Sequence, residues 1–446
     1  MSKSVKTFIA VAAMLALAAP AMADFKFSGE FRVQGYHQTA QDIGSNDARS
    51  FNLIDQRFRP KLDYRVNDLI SLTYFAEIDT VWGSQVGLTG ADKPVGGGAI
   101  GADGVNVETK NIYVDLKIPQ IDSNFRLGIQ GVRDPFNGVV FFDDMAAANL
   151  TGKLGLIDYQ LLYSKWNQGN NTEWDGTDFY GVNVSHSYGD FAKAGLALYH
   201  YDNNSGTIYP GGTAGLGPFG GLGEGPNIDA ELWWVGLYGD YRFANLAFNG
   251  FAVYQFGEVL ADGIGNYVDS EAWMASVKGA MIIPNGDLGL RYIYFSPDDS
   301  DTDFDRFFVS QGRYEFTDEN LMIFLVDKWV NNVAKTRYAI TDAVQGGYGL
   351  HAVVASANLR NLPMNTYANL GAGAFFAADS NPDGAADRNT TLGYEIAARV
   401  GKVFADKFDV SLRGAYAFLG DFYDTPANNN DADDLYTVAL MARVPF

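Results

Sequence analysis

The stretch Tyr436-Thr437-Val438-Ala439-Leu440-Met441-Ala442-Arg443-Val444-Pro445-Phe446 carries the pattern that decides the fold. Tyr436, Val438, Leu440, Ala442, Val444 and Phe446 alternate with Thr437, Ala439, Met441, Arg443 and Pro445. A strand sends successive side chains to opposite faces, so one face here is apolar and the other carries an arginine. The preceding segment repeats the pattern. Phe408, Val410, Leu412, Gly414, Tyr416 and Phe418 alternate with Asp409, Ser411, Arg413, Ala415 and Ala417. Far upstream, Phe25, Phe27, Gly29, Phe31 and Val33 alternate with Lys26, Ser28, Glu30, Arg32 and Gln34. Each segment runs about ten residues or more, the length a tilted strand needs to cross hydrocarbon.

Eighteen such segments can be read between residues 24 and 446, with sixteen or twenty as alternative counts. Short connections fall at 66–68, 120–123, 155–156, 188–189, 243, 284–285, 361–364 and 405–406. Long ones fall between them, at 38–50, 83–104, 134–144, 168–176, 203–229, 259–267, 299–344, 379–388 and 421–432. Outer-membrane barrels join their strands by tight periplasmic turns and long external loops in this alternating way. Connection 299–344 is long enough to hide two more strands, Arg306 to Phe316 and Asn320 to Val330. Eighteen is preferred because Leu321 to Val326 is uniformly apolar without alternation, as in a loop segment packed on itself. The expected fold is therefore all-β, a transmembrane antiparallel barrel.

The charges favour the barrel over a soluble sandwich. Arg57, Arg59, Lys61, Asp63 and Arg65 share one face of a strand, opposite Phe58, Pro60, Leu62 and Tyr64. Lipid supplies no partner for backbone N–H and C=O groups, so only helices or edge-free sheets span it. The apolar face then meets lipid and the charged face an enclosed aqueous lumen.

The chain has 446 residues, 53 acidic and 32 basic side chains and no cysteine. Without cysteine there is no disulfide framework, thiol catalysis or thiolate metal site. The acidic balance disfavours nucleic-acid binding through a basic face. Lys3 and Lys6, the apolar run Phe8 to Ala19 and the small-residue site Ala21-Met22-Ala23 read as a cleavable signal peptide, residues 1–23. One barrel domain, 24–446, would remain. The removed segment holds two lysines and no acid, so the formal net charge would move from −21 to −23.

At whole-chain level the pattern resembles Gram-negative outer-membrane porins. In that family a C-terminal aromatic belongs to the signal read by the barrel-assembly machinery. Phe446, with Tyr436, Val438, Leu440 and Val444, matches it. Asp55-Gln56-Arg57-Phe58-Arg59 and Tyr294-Phe295-Ser296-Pro297-Asp298-Asp299 look like stretches of porins related to the alginate-export type, which have eighteen strands. The resemblance implies a water-filled channel in the outer membrane for passive diffusion of ions and small hydrophilic solutes. It also implies contact with outer-membrane lipid and lipopolysaccharide, and it leaves a homotrimer open. A channel or exporter for an anionic polysaccharide is the alternative, and an outer-membrane hydrolase a remoter one.

Candidate pore-lining residues are Arg32, Arg57, Arg59, Arg126, Arg399, Arg413 and Arg443, against Glu30, Glu77, Asp79, Asp115 and Glu395. Opposed rows of the two signs would set a transverse field, and rings of charge select ions by sign. A structural salt-bridge lattice would use the same residues. Segment 134–144 is apolar for an external loop and could fold inward, with Phe136 and Phe141 narrowing the bore and Asp143 and Asp144 at its tip. Asp299, Asp301, Asp303 and Asp305 could take Ca²⁺ through hard oxygen ligands. They are no EF-hand, because Phe304 stands at the glycine position and Ser310 at that of the bidentate glutamate. No other cofactor is expected. Gly96 to Gly101 matches G-x-G-x-x-G without the strand and helix that dinucleotide binding requires. The four histidines are scattered, and neither G-x-S-x-G nor H-E-x-x-H occurs, so no catalytic residue is nominated.

Overall fold

The computed structural model describes residues 24–41, 48–83, 98–100, 107–167, 176–203, 228–261, 267–300, 302–308, 316, 319–325, 343–382, 387–424 and 432–446. The expected signal peptide and Asp301 lie outside the described residues. Eighteen strands follow one another: β1 (Phe25–Gln41), β2 (Ala48–Arg65), β3 (Ile70–Val81), β4 (Glu108–Ile118), β5 (Ser123–Arg133), β6 (Phe142–Leu154), β7 (Ile157–Asn167), β8 (Thr177–Tyr188), β9 (Ala192–Asn203), β10 (Ile228–Phe243), β11 (Leu246–Ala261), β12 (Val268–Ile283), β13 (Gly286–Phe295), β14 (Leu350–Leu362), β15 (Thr366–Phe376), β16 (Thr391–Phe404), β17 (Phe408–Leu419) and β18 (Leu435–Pro445). Each pairs antiparallel with its neighbour in sequence, and β1 pairs with β18, so the sheet has no edge.

Closure is seated by the last residue. Gly29 and Phe446 exchange backbone hydrogen bonds of 2.9 and 3.0 Å. The Phe446 ring lies 5.2 Å from that of Phe27 and 5.8 Å from that of Phe58, centroid to centroid. A Cβ on Gly29 would come 2.9 Å from the Phe446 ring and closer still to the Arg59 carbonyl. Glycine makes the room the aromatic needs.

Burial is inverted, as the charge pattern requires. Leu412 is 57% exposed while its neighbour Arg413 is 1% exposed. Leu440, Leu237, Val400 and Ile396 also lie bare on the outside, whereas Arg32, Glu77, Arg291 and Glu395 are buried inside. A one-residue slip would bring such an arginine into hydrocarbon at a cost of about 2–4 kcal/mol at mid-depth.

The tight turns match their sequences. Ala244-Asn245 joins β10 to β11 and Gly155-Leu156 joins β6 to β7, with Ala244 and Gly155 at positive φ as short hairpins require. β13 pairs directly with β14, so no strand intervenes and the twenty-strand alternative is not realised. Leu321 to Leu325 does not pack on itself outside, as the sequence suggested. It lies buried against the inner faces of β15 and β16.

Candidate channel lumen

Alternation puts one side chain in two of every strand inside the barrel, and the register decides which of them meet. Glu30 faces Arg59 on β2, Arg32 faces Arg57, and Arg57 in turn faces Asp79 on β3. The result is a relay of alternating charge over four adjacent strands. Arg443 of β18 binds Glu30 through Nε at 2.7 Å and Nη2 at 2.6 Å. Glu30 lies 3.8 Å from Arg59, which also pairs with Glu77. Arg57 reaches Glu77 at 3.2 Å and grips Asp79 through two bonds of 2.7 and 2.5 Å. Beside this relay Arg32 meets Asp55 at 3.3 Å.

Two further pairs extend the charged wall. Arg126 of β5 holds Asp115 of β4 by a bidentate pair of 2.8 and 3.0 Å. Arg399 of β16 meets Asp409 of β17 at 2.9 Å. Arg413 of β17 donates to the Met441 sulfur at 3.3 Å. These residues lie on β1–β5 and β16–β18, one continuous arc through the seam. The expected rows of opposite sign therefore do not face each other across the bore. They interleave on one wall, because strand partners in an antiparallel sheet come from adjacent positions and attract locally.

The rest of the wall is covered by two inward loops. The connection 134–141 turns in, with Phe136, Val139, Val140 and Phe141 fully buried. Phe136 meets Tyr199, Tyr238 and Phe251 of β9, β10 and β11 at 5.7–6.1 Å between ring centroids. Phe141 packs edge-on against Phe179 and Tyr199. The loop is pinned by Asp134, whose carboxylate accepts from the N–H groups of Phe136 (2.6 Å), Gly138 (3.0 Å) and Phe141 (2.7 Å). Complete burial pushes the Asp134 carboxyl up to about 6, the backbone donors offsetting only part of its desolvation. Asp143 and Asp144 are not at the tip. Both belong to β6, and Asp144 accepts from Lys110 and Asn111 of β4. The tip carries no acid because β6 begins at Phe142, three residues earlier than alternation alone suggested.

The second inward loop is part of the β13–β14 connection. Glu395 of β16 accepts from the N–H groups of Met322 (2.6 Å), Ile323 (3.1 Å) and Phe324 (2.8 Å). It therefore anchors a loop rather than standing as a bare charge in the bore. Glu319 is buried against Arg291 at 2.7 Å and Lys278 at 2.8 Å. Arg291 also donates to Ser276 (2.8 Å) and lies 3.0 Å from the Asn137 side-chain carbonyl of the other loop, the amide being oriented to accept. One arginine of β13 thus touches both loops. The sequence did not single out Arg291, Glu319 or Asp134. Asp134-Pro135 directly after a strand was the available signal for the last.

Openings remain at the short-turn end. One of about 490 Å³ is lined by Lys26, Lys61, Asp63, Tyr113, Asp115 and Arg126. Another of about 460 Å³ is lined by Lys193, Asp240, Arg242, Asn249 and Lys278. Of the acidic run proposed for Ca²⁺, Asp301 lies outside the described residues. Asp305 accepts from the Glu271 N–H, Asp303 accepts from Ser300, and no group of three or more potential metal ligands forms among the described residues.

No protein-family model matches the sequence, and no curated protein does. Solved structures match over nearly their whole length. OccK5 (OpdH) of Pseudomonas aeruginosa is similar at a TM-score of 0.53 and 12% identity, over 95% of this chain and 99% of that one. A BenF-like porin from Pseudomonas fluorescens Pf-5 gives 0.56 and 7%, over 95% and 98%. OccAB2 of Acinetobacter baumannii gives 0.54 and 11%, over 94% and 98%. The likeness is one of fold: this chain forms a closed eighteen-stranded antiparallel barrel like those of the porins it matches.

Proposed function

We propose that the chain is an outer-membrane porin, a water-filled channel through which ions and small hydrophilic solutes diffuse passively. The observation that carries this reading is the closed eighteen-stranded sheet with aliphatic side chains outside and an arginine–carboxylate wall inside. Eighteen strands enclose more space than wall side chains can fill. The two inward loops narrow that space. The outer-membrane lipid and the barrel-assembly machinery are the partners that such a barrel needs.

The anionic-polymer reading gains less support. Arg57, Arg59, Arg126, Arg399 and Arg443 already hold carboxylates of the wall, which a polyanion would have to displace. The histidine contacts among the described residues do not favour a hydrolase. His37 meets Asn52 and Tyr436, His186 the Leu156 carbonyl, His200 Glu231, and His351 Tyr292.

Reconstitution of the mature barrel in planar bilayers tests the proposal. Ohmic single-channel steps in KCl are expected. A correctly folded barrel that passes no current would overturn it.

A further inference from the structure

The charged side chains that face the lumen at the short-turn end do not all find partners. Asp24, Asp63, Asp115, Asp158, Asp287 and Asp409 each lie within 3.5 Å of an inward lysine or arginine. Four inward cations are left over: Lys26, Lys117, Lys193 and Arg242. None of them forms an ion pair among the described residues. Alternation sets their direction. Lys26 shares the face of Arg32 on β1, Lys117 that of Asp115 on β4, Lys193 that of Tyr199 on β9, and Arg242 that of Trp234 on β10.

Their surroundings keep them open. Lys26 lines the opening of about 490 Å³, and Lys193 and Arg242 line that of about 460 Å³. Lys117 stands one inward position nearer the turn than Asp115, opposite Asn124 of β5. Lys193 faces Asp240 across the β9–β10 pairing. Asp240 nevertheless takes the Asn249 amide at 2.8 Å, and the Lys193 ammonium sits 5.8 Å from the Tyr238 ring centroid. One acid without a cation therefore stands against four cations without an acid on this part of the wall. The turn acids Asp68, Asp122, Asp406 and Asp190, the last at the lip of the second opening, are exposed on the connections themselves, where bulk water screens them. Charges enclosed by low-dielectric walls are screened less and focus their field along the opening.

We propose that the short-turn mouth is an anion-collecting vestibule, in which Lys26, Lys117, Lys193 and Arg242 draw small inorganic anions from the adjoining solution. Openings of this size leave an anion its water, so it is concentrated there rather than held. The paired relay offers both signs, and these four side chains set the ion preference at their end. The chain as a whole carries a formal charge of −21, so this preference runs against its net charge and belongs to one mouth. The assignment rests on the channel reading and adds what the channel gathers.

Two measurements test it. The chain has no cysteine, so Ser187→Cys places a single thiol opposite Lys193, in the second opening, for a chloride-quenched quinolinium dye. In detergent, chloride should quench this dye about threefold more strongly than in the fourfold variant Lys26→Gln, Lys117→Gln, Lys193→Gln and Arg242→Gln, while uncharged acrylamide quenches both alike. In planar bilayers, reversal potentials are read with KCl dilute in one chamber and concentrated in the other, and then with the gradient reversed. The screening length is about 30 Å at 0.01 M and about 3 Å at 1 M, so the mouth in the dilute chamber decides the preference. Streptavidin added to one chamber marks the short-turn side by gripping biotin on Leu156→Cys, whose position is 79% exposed in its turn. Chloride preference should be larger when that side is dilute, and the fourfold variant should lose the difference. Lys402→Gln removes a cation that lies over Phe404 on the outer face and should change neither measurement. Equal chloride quenching in parent and fourfold variant, or the same preference in both gradient directions, overturns the vestibule and leaves the channel. Stronger quenching in the parent of a folded barrel that carries no current overturns the channel and leaves the anion collection.

Discussion

The Arg291 guanidinium, on β13, holds the Glu319 carboxylate at 2.7 Å inside the barrel, between residues 28 positions apart in sequence. The pair joins wall to loop, and Arg291 also reaches Asn137 of the other loop. Removing one partner of a buried pair costs about 3–5 kcal/mol, because the other is left desolvated. Arg291→Met should therefore destabilise the barrel by that order and raise single-channel conductance as both loops loosen. Denaturant titration and bilayer recording read the two effects. Unchanged conductance would mean that the loops are held by their apolar contacts alone.

Glu395→Ala tests the second loop by itself. Three buried N–H groups would lose their acceptor, at about 1–3 kcal/mol each if nothing replaces it. Release of residues 322–324 should raise conductance and expose the segment to protease. Glu395→Gln keeps one acceptor oxygen and should show a smaller change of the same sign.

Asp134 gives a pH signature. Its folded-state pKa, about 6, is raised above the ordinary aspartate value of 3.8. Its contribution to stability is thus complete below the unfolded value and is lost as pH rises through 6. By linkage this amounts to at most about 3 kcal/mol between pH 4 and pH 7. Asp134→Asn should flatten that part of the stability profile. Identical profiles for the two proteins would show that the three backbone donors hold the carboxylate ionised throughout.

Ion preference should respond to the relay in both directions. Arg57→Gln with Arg59→Gln leaves Glu77 and Asp79 without their partners and should shift reversal potentials toward cations. Glu77→Gln with Asp79→Asn should shift them toward anions. If neither pair moves the potential, the permeating ions do not pass along this wall.

Much of the barrel could be read locally. A period of two is a property of neighbouring residues, so the inward placement of Arg32, Arg57, Glu77, Arg126 and Arg413 followed from alternation alone. Which residues would meet did not. The Arg443–Glu30 contact depends on β18 returning to β1, a pairing between positions 413 apart. Alternation assigns Glu395 its inward face, but not its partners, which are backbone groups of a distant loop with no periodic signal. Asp143 and Asp144 were misplaced because Phe142-Asp143-Asp144-Met145 does not alternate, which hides the start of β6.

The unbroken handhold from Arg443 through Glu30, Arg59, Glu77 and Arg57 to Asp79 gives the bore an unusual kind of surface. A chloride can borrow a guanidinium only while its carboxylate swings aside, and a potassium can borrow the carboxylate on the same terms. Such a wall does not repel either traveller. It serves each in turn, so both should share the current, and brine strong enough to loosen the handclasps should blur what little preference remains.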